Sequence, residues 1–179
     1  MNCSLICAAV LVRLYLPAAA CAQGSDAQPS EFQVKAAYLL NFARFVEWPA
    51  TAFPSPDAPL TICILGDDPF GSTLDRLLEG ESVDGHRLAI QKLRRAPAPK
   101  TCQVLYVAAN EGEPAKLLRS LDREILTVGE GENFLRDGGM LAFLLEGRRV
   151  RFSVNLPAAT RADVKLSSKL LNVAKSVLK

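Results

Sequence analysis

Between residues 60 and 156 the chain repeats one local pattern: a short apolar run of strand length, a turn cluster, then a stretch of helical character. Leu60–Leu65 (LTICIL) is apolar on consecutive rather than alternate positions, so as a strand it must be covered on both faces. Gly66–Gly71 then reads as a turn, and a helix follows through Leu78, stopped by Gly80. Arg87–Leu93, Gln103–Ala108 and Ile125–Val128 read as further strands, with a helix from Pro114 through Leu121 and a helical turn at Asn133–Arg136. Met140–Leu145 and Val150–Leu156 are joined by Glu146-Gly147-Arg148-Arg149, which signals a hairpin. The last stretch, Pro157–Val177, reads as helical with a break near Lys165. Such alternation predicts an α/β layered sandwich, with a mixed, mostly parallel sheet, helices on both faces and an antiparallel edge.

The length of 179 residues fits one domain, and 49% hydrophobic with 22% charged residues is an ordinary globular balance. A net charge of +2 supplies no long-range field for nucleic acid or acidic lipid. Residues 4–22 form an apolar stretch ending in Ala20-Cys21-Ala22, a small-x-small pattern that predicts a signal peptide over 1–22 with cleavage before Gln23. No positive charge precedes the stretch, and Arg13 interrupts it too early for a membrane span. A single domain over 23–179 is expected to remain, with a polar, disordered tail over 23–29.

That domain opens on a helix. Ser30 and Gln33 have capping-box spacing, and the helix is expected to run to Glu47 or Trp48, where Pro49 stops it. At 100° per residue Val34, Tyr38, Leu39, Phe42, Phe45 and Val46 share the core arc. The opposite arc carries Asn41, Arg44 and Glu47, together with Leu40 and Trp48. Those two apolar side chains need a cover, either a loop of the same chain such as the proline-rich 49–59 segment, or a partner surface.

Cys3, Cys7 and Cys21 leave with the signal; Cys63 and Cys102 remain. In an exported chain the two are expected to pair, provided their strands are neighbours; two buried free thiols are the alternative. The only histidine is His86, and there is no nucleophile elbow, so no catalytic apparatus, metal centre or cofactor is predicted. The Gly129–Gly139 stretch lacks the spacing of a nucleotide loop. Asp67-Asp68 follows a strand and precedes a helix, where α/β sheets bind ligands, yet it equally makes a capped turn. Arg149 and Arg151 share a strand face near Arg148 and Arg161. Without interleaved aromatics they suit acidic neighbours, an acidic partner or a small anion rather than nucleic acid. Asn155 is a candidate buried polar residue in need of partners.

Several stretches together resemble the YfiR family of periplasmic proteins. They are Val34–Pro49 (VKAAYLLNFARFVEWP), Ile62–Gly71 (ICILGDDPFG), Leu126-Thr-Val, Gly138-Gly-Met140, Arg151–Asn155 (RFSVN) and Leu166–Leu171 (LSSKLL). The resemblance implies a compact, often dimeric α/β sandwich in the periplasm. It implies repression of an inner-membrane diguanylate cyclase of the YfiN type, through the cyclase's periplasmic region, which holds cyclic-di-GMP and biofilm formation low. It also implies release by an outer-membrane YfiB-like lipoprotein. Cys63 and Cys102 match a cysteine pair of the family, whereas a second pair found near Gly-Gly-Met in some members has no counterpart here. The expected partner or dimer contact lies at Leu40, Asn41, Arg44, Glu47 and Trp48. The other reading is a small-molecule sensing module built from Asp67, Asp68, Arg149, Arg151, Asn155 and Arg161.

Overall fold

The computed structural model describes residues 28–96 and 101–179. The expected signal peptide, most of the 23–29 tail and most of the Ala96–Lys100 loop lie outside the described residues.

The elements, in chain order, are α1 (Glu31–Arg44), β1 (Val46–Glu47), β2 (Leu60–Leu65), α2 (Ser72–Leu78), β3 (Ser82–Val83), β4 (His86–Leu93), β5 (Cys102–Val107) and α3 (Pro114–Ser120). Then follow β6 (Leu126–Glu130), α4 (Gly131–Arg136), β7 (Leu141–Glu146), β8 (Arg149–Asn155), α5 (Leu156–Arg161), β9 (Lys165–Leu166), α6 (Ser168–Val173) and β10 (Ser176–Leu178). Eight strands form one sheet in the order β10-β8-β7-β6-β5-β2-β4-β3. Pairing from β7 through β4 is parallel, the β7–β8 hairpin is antiparallel, and β3 folds back antiparallel on β4. The layered, mostly parallel sandwich is therefore present.

The two-residue period of the strands sorts the core. Leu60, Ile62 and Ile64 of β2, with Val104 and Tyr106 of β5, face α1 and α2 in the larger cluster. Cys63, Leu65, Leu105 and Val107 face the other way, against Leu117 of α3 and Phe134 and Leu135 of α4. Helices thus cover both faces. On the first face Phe42 of α1 stacks on Phe143 of β7 and meets Phe152 of β8 edge-on, with ring centroids 5.6 and 5.0 Å apart.

Cys63 and Cys102 are joined by a disulfide between hydrogen-bonded neighbours β2 and β5. The register shifts beside it, and Gln103 fills the gap: its Oε1 accepts from the Thr61 amide and its Nε2 donates to the Ala52 carbonyl. That second bond ties the proline-rich connector to the sheet. The same connector holds His86, whose ring stacks on Phe53 and whose Nδ1 lies 2.7 Å from the Ala58 carbonyl oxygen. His86 is the first residue of β4.

Three expectations need correction. First, α1 ends at Arg44, not at Glu47 or Trp48. Val46–Glu47 instead pair antiparallel with Lys165–Leu166, and the Phe45 carbonyl accepts from the Ser167 amide. Pro49 disfavours helix in the residue before it, and Val46 is β-branched, so the extended form wins several residues early. Second, the final stretch is not one helix with a break. Asp163, at φ 59°, closes α5; Ser167 caps α6 with its side chain; and Ser176–Leu178 lie parallel to β8 as a strand. Third, for that reason the antiparallel hairpin is not the edge of the sheet on its side: β10 lies outside it.

Candidate functional site

The connection leaving β2 runs through α2 on one face, and the connection leaving β5 runs through α3 on the other. Adjacent parallel strands whose crossovers diverge leave a crevice beyond their carboxyl ends, the usual ligand position in open α/β sheets. A crevice of about 380 Å³ lies there, lined by Asp67 after β2, Tyr106 and Asn110 at the end of β5, Glu130 closing β6, and Glu31 and Lys35 from the first turns of α1.

Lys35 is the centre of this group. Its side chain is 6% exposed, and its ammonium lies 2.5 Å from a Glu31 oxygen and 2.9 Å from both Glu130 oxygens. Tyr106 donates its hydroxyl to Glu130 at 2.7 Å. Burial, reinforced by the Glu130 charge and hydrogen bond, raises the Tyr106 pKa far above the ordinary tyrosine value, so the phenol stays protonated. The result is a satisfied but charged cluster joining one helix to two strand ends.

Asp67 is exposed and lines this crevice, with its amide 3.4 Å from Asn110 Oδ1. Asp68 takes the turn role: its Oδ1 accepts from the Phe70 and Gly71 amides, and its Oδ2 lies 2.7 Å from the Lys92 ammonium. That hydrogen bond and charge raise the Lys92 pKa.

The other predicted ligand residues do not join them. Arg149 and Arg151 stand exposed on β8, opposite Glu146 and Leu144 of β7, away from the crevice lining. Asn155 finds the partners it needs: it caps α5 through the Ala158 amide and donates to the Leu135 carbonyl. Arg161 borders a separate hollow of about 280 Å³ floored by Ile125 and Met140. The glycine-rich stretch has a packing role. The Phe134 ring lies against Gly129 and Gly139, leaving no room for a Cβ at either position.

Asn41 and Arg44 of α1 and Glu47 of β1 are exposed. Arg44 pairs with Glu81 at 2.5 Å rather than with Glu47. Leu40 is 6% exposed and belongs to the main core. Trp48 is half-buried, packs on that core, and donates its indole N–H to the Ala43 carbonyl at 2.9 Å. Much of the cover these two side chains need comes from the chain itself.

Lys35, Tyr106 and Glu130 were not among the residues the sequence singled out. The signal was present: Lys35 precedes Leu39 and Phe42 at helical spacing, so it lies on the core-facing stripe. A lysine there requires a buried acceptor, and Glu130 ends an otherwise uncharged strand.

A family model described as YfiR/HmsC-like matches residues 32–175. No curated protein matches the chain.

Proposed function

The chain belongs to the YfiR/HmsC-like family, and from that premise we propose that it is a periplasmic regulatory binding protein. It represses an inner-membrane diguanylate cyclase by contact with the cyclase's periplasmic region, lowering cyclic-di-GMP and limiting biofilm formation. It works by binding, as a homodimer, without turning over a substrate. An outer-membrane YfiB-like lipoprotein would relieve the repression by sequestering it. The observation that carries this reading is the extent of the family match, which runs from α1 through α6 and so covers nearly the whole described fold. The candidate contact surface is the exposed side of α1 at Asn41 and Arg44, continued by Glu47 of β1 and the accessible part of Trp48.

The test is deletion of the gene, with intracellular cyclic-di-GMP as the readout. The level should rise, fall back on complementation with residues 1–179, and stay high on complementation lacking residues 1–22. An unchanged level in the deletion strain would remove the cyclase from the account. A second reading, a periplasmic sensing module without a cyclase target, draws its support from the crevice beyond β2 and β5.

A further inference from the structure

The crevice holds more negative charge than the fold neutralises. Glu31 and Glu130 place two carboxylates around the single ammonium of Lys35. The Lys35 ammonium donates to both Glu130 oxygens and forms an ion pair with Glu31, so the one cation of the crevice is already engaged by carboxylates. Asp67 lines the same crevice and has no ion-pair partner among the described residues. The remaining wall is apolar: Phe32, 42% exposed, lies with Pro69, Ala108 and Ala109 on the lining. Stability accounts poorly for this cluster, because a buried lysine held by carboxylates contributes little beyond its desolvation cost. Among the described residues no group of three or more His, Cys, Asp or Glu side chains is placed to hold a metal ion.

We propose that the crevice beyond β2, β5 and β6 binds a small organic ammonium ion, its charge paired with Asp67 and the Glu31–Glu130 carboxylates and its apolar body against Phe32. The geometry favours such a ligand in two ways. The ammonium meets three carboxylates that share a single lysine, in a partly buried site where charge-assisted hydrogen bonds are strong. The body lies on an aromatic face that also attracts cations: the Lys35 ammonium itself stands 5.4 Å from the Phe32 ring centroid. The proposal holds whether or not a cyclase is the target.

Isothermal titration of the purified exported protein tests it with three probes that share one ring and differ in the head group: 2-phenylethylamine, 2-phenylethanol and phenylacetate. The amine alone should bind saturably. Asp67→Asn should weaken it about tenfold, the loss expected of one charge-assisted contact. Phe32→Ala should weaken it further. Asp67 is exposed and its carboxylate supports no other element, so the variant should keep the parent urea midpoint. Binding of the alcohol or of phenylacetate as tight as the amine would overturn the proposal. So would absence of heat with the amine at millimolar concentration, or an Asp67→Asn variant that binds it unchanged.

Discussion

The Lys35 ammonium lies 2.9 Å from both carboxylate oxygens of Glu130, a residue 95 positions later in the chain. The pair fastens the first helix to the carboxyl end of a central strand. Lys35→Met should cost about 2 kcal/mol, because Glu130 then keeps a half-buried charge with Tyr106 as its only donor from this cluster. Lys35→Met combined with Glu130→Leu should recover most of that loss. Urea midpoints of the two variants and the parent decide it; a double variant no better than the single would separate the two side chains energetically.

Tyr106 gives the fold a pH dependence whose sign can be worked out. Its folded pKa is raised, so the folded state keeps the phenolic proton where the unfolded chain has released it. The stabilisation is complete below the ordinary tyrosine value of 10.0 and is lost as pH climbs above it. Tyr106→Phe removes this dependence together with one hydrogen bond to Glu130, worth about 1 kcal/mol at neutral pH. The parent's advantage over the variant should therefore shrink above pH 10, with a limiting slope of about 1.4 kcal/mol per pH unit. Urea unfolding of both proteins at pH 8 and pH 10.5 measures it. A constant difference would contradict the assignment.

The disulfide closes a loop with a sequence separation of 39. Chain entropy assigns it about 4 kcal/mol. Both sulfurs lie in the core on the α3–α4 side, with residues 0% and 1% exposed. Reductant should therefore act on the native protein only through unfolding. Paired Cys63→Ala and Cys102→Ala substitutions should lower the denaturant midpoint by an amount matching the reduced parent. Rapid reduction of the native protein by dithiothreitol would show an accessible bridge instead.

The exposed side of α1 can be tested without disturbing the core. Arg44 and Glu81 are each 40% exposed, so breaking their pair should change stability by no more than about 1 kcal/mol. Arg44→Glu should weaken the proposed repression of a cyclase several-fold while the midpoint of unfolding stays put. The swap Arg44→Glu with Glu81→Arg restores the pair but not the surface charge pattern. Cyclic-di-GMP that remains high in the swapped strain points to partner contact; a return to the parent level points to the intramolecular pair.

Gly139 faces the Phe134 ring so closely that a Cβ there would overlap it. Gly139→Ala should destabilise by about 2 kcal/mol through displacement of that ring. Thermal unfolding checks this, and Gly138→Ala makes a useful contrast. Position 138 is open but has φ +106°, so its cost is backbone strain rather than overlap.

The central architecture was legible because buried parallel strands have an unmistakable composition. LTICIL and CQVLYV admit no solvent-facing side, and each is bounded by turn residues. The end of α1 was not legible, because Phe45 and Val46 continue the apolar arc whether the chain is helical or extended. What decides is the pairing with Lys165–Leu166, a contact made across most of the sequence. The C-terminal segment misled for a similar reason: Ser176-Val177-Leu178 acquires its strand state from β8. At the candidate site the place of Asp67 after a strand identifies it, whereas the arginines of β8, although they reach the same end of the sheet, do not line the crevice, because β8 lies two strands beyond β6, a lateral order that the sequence does not reveal. The Lys35–Glu130 pair required knowing which strand ends beneath α1.

The stacking of Phe42 on Phe143 and Phe152 sets a schedule for biogenesis. The aromatic part of the first helix lacks its ring partners until strands roughly a hundred residues downstream have arrived. Until then a nascent chain displays Tyr38, Leu39 and Phe42 to whatever surrounds it. Apolar surface left open in this way favours self-association, and formation of the β7–β8 hairpin closes that route.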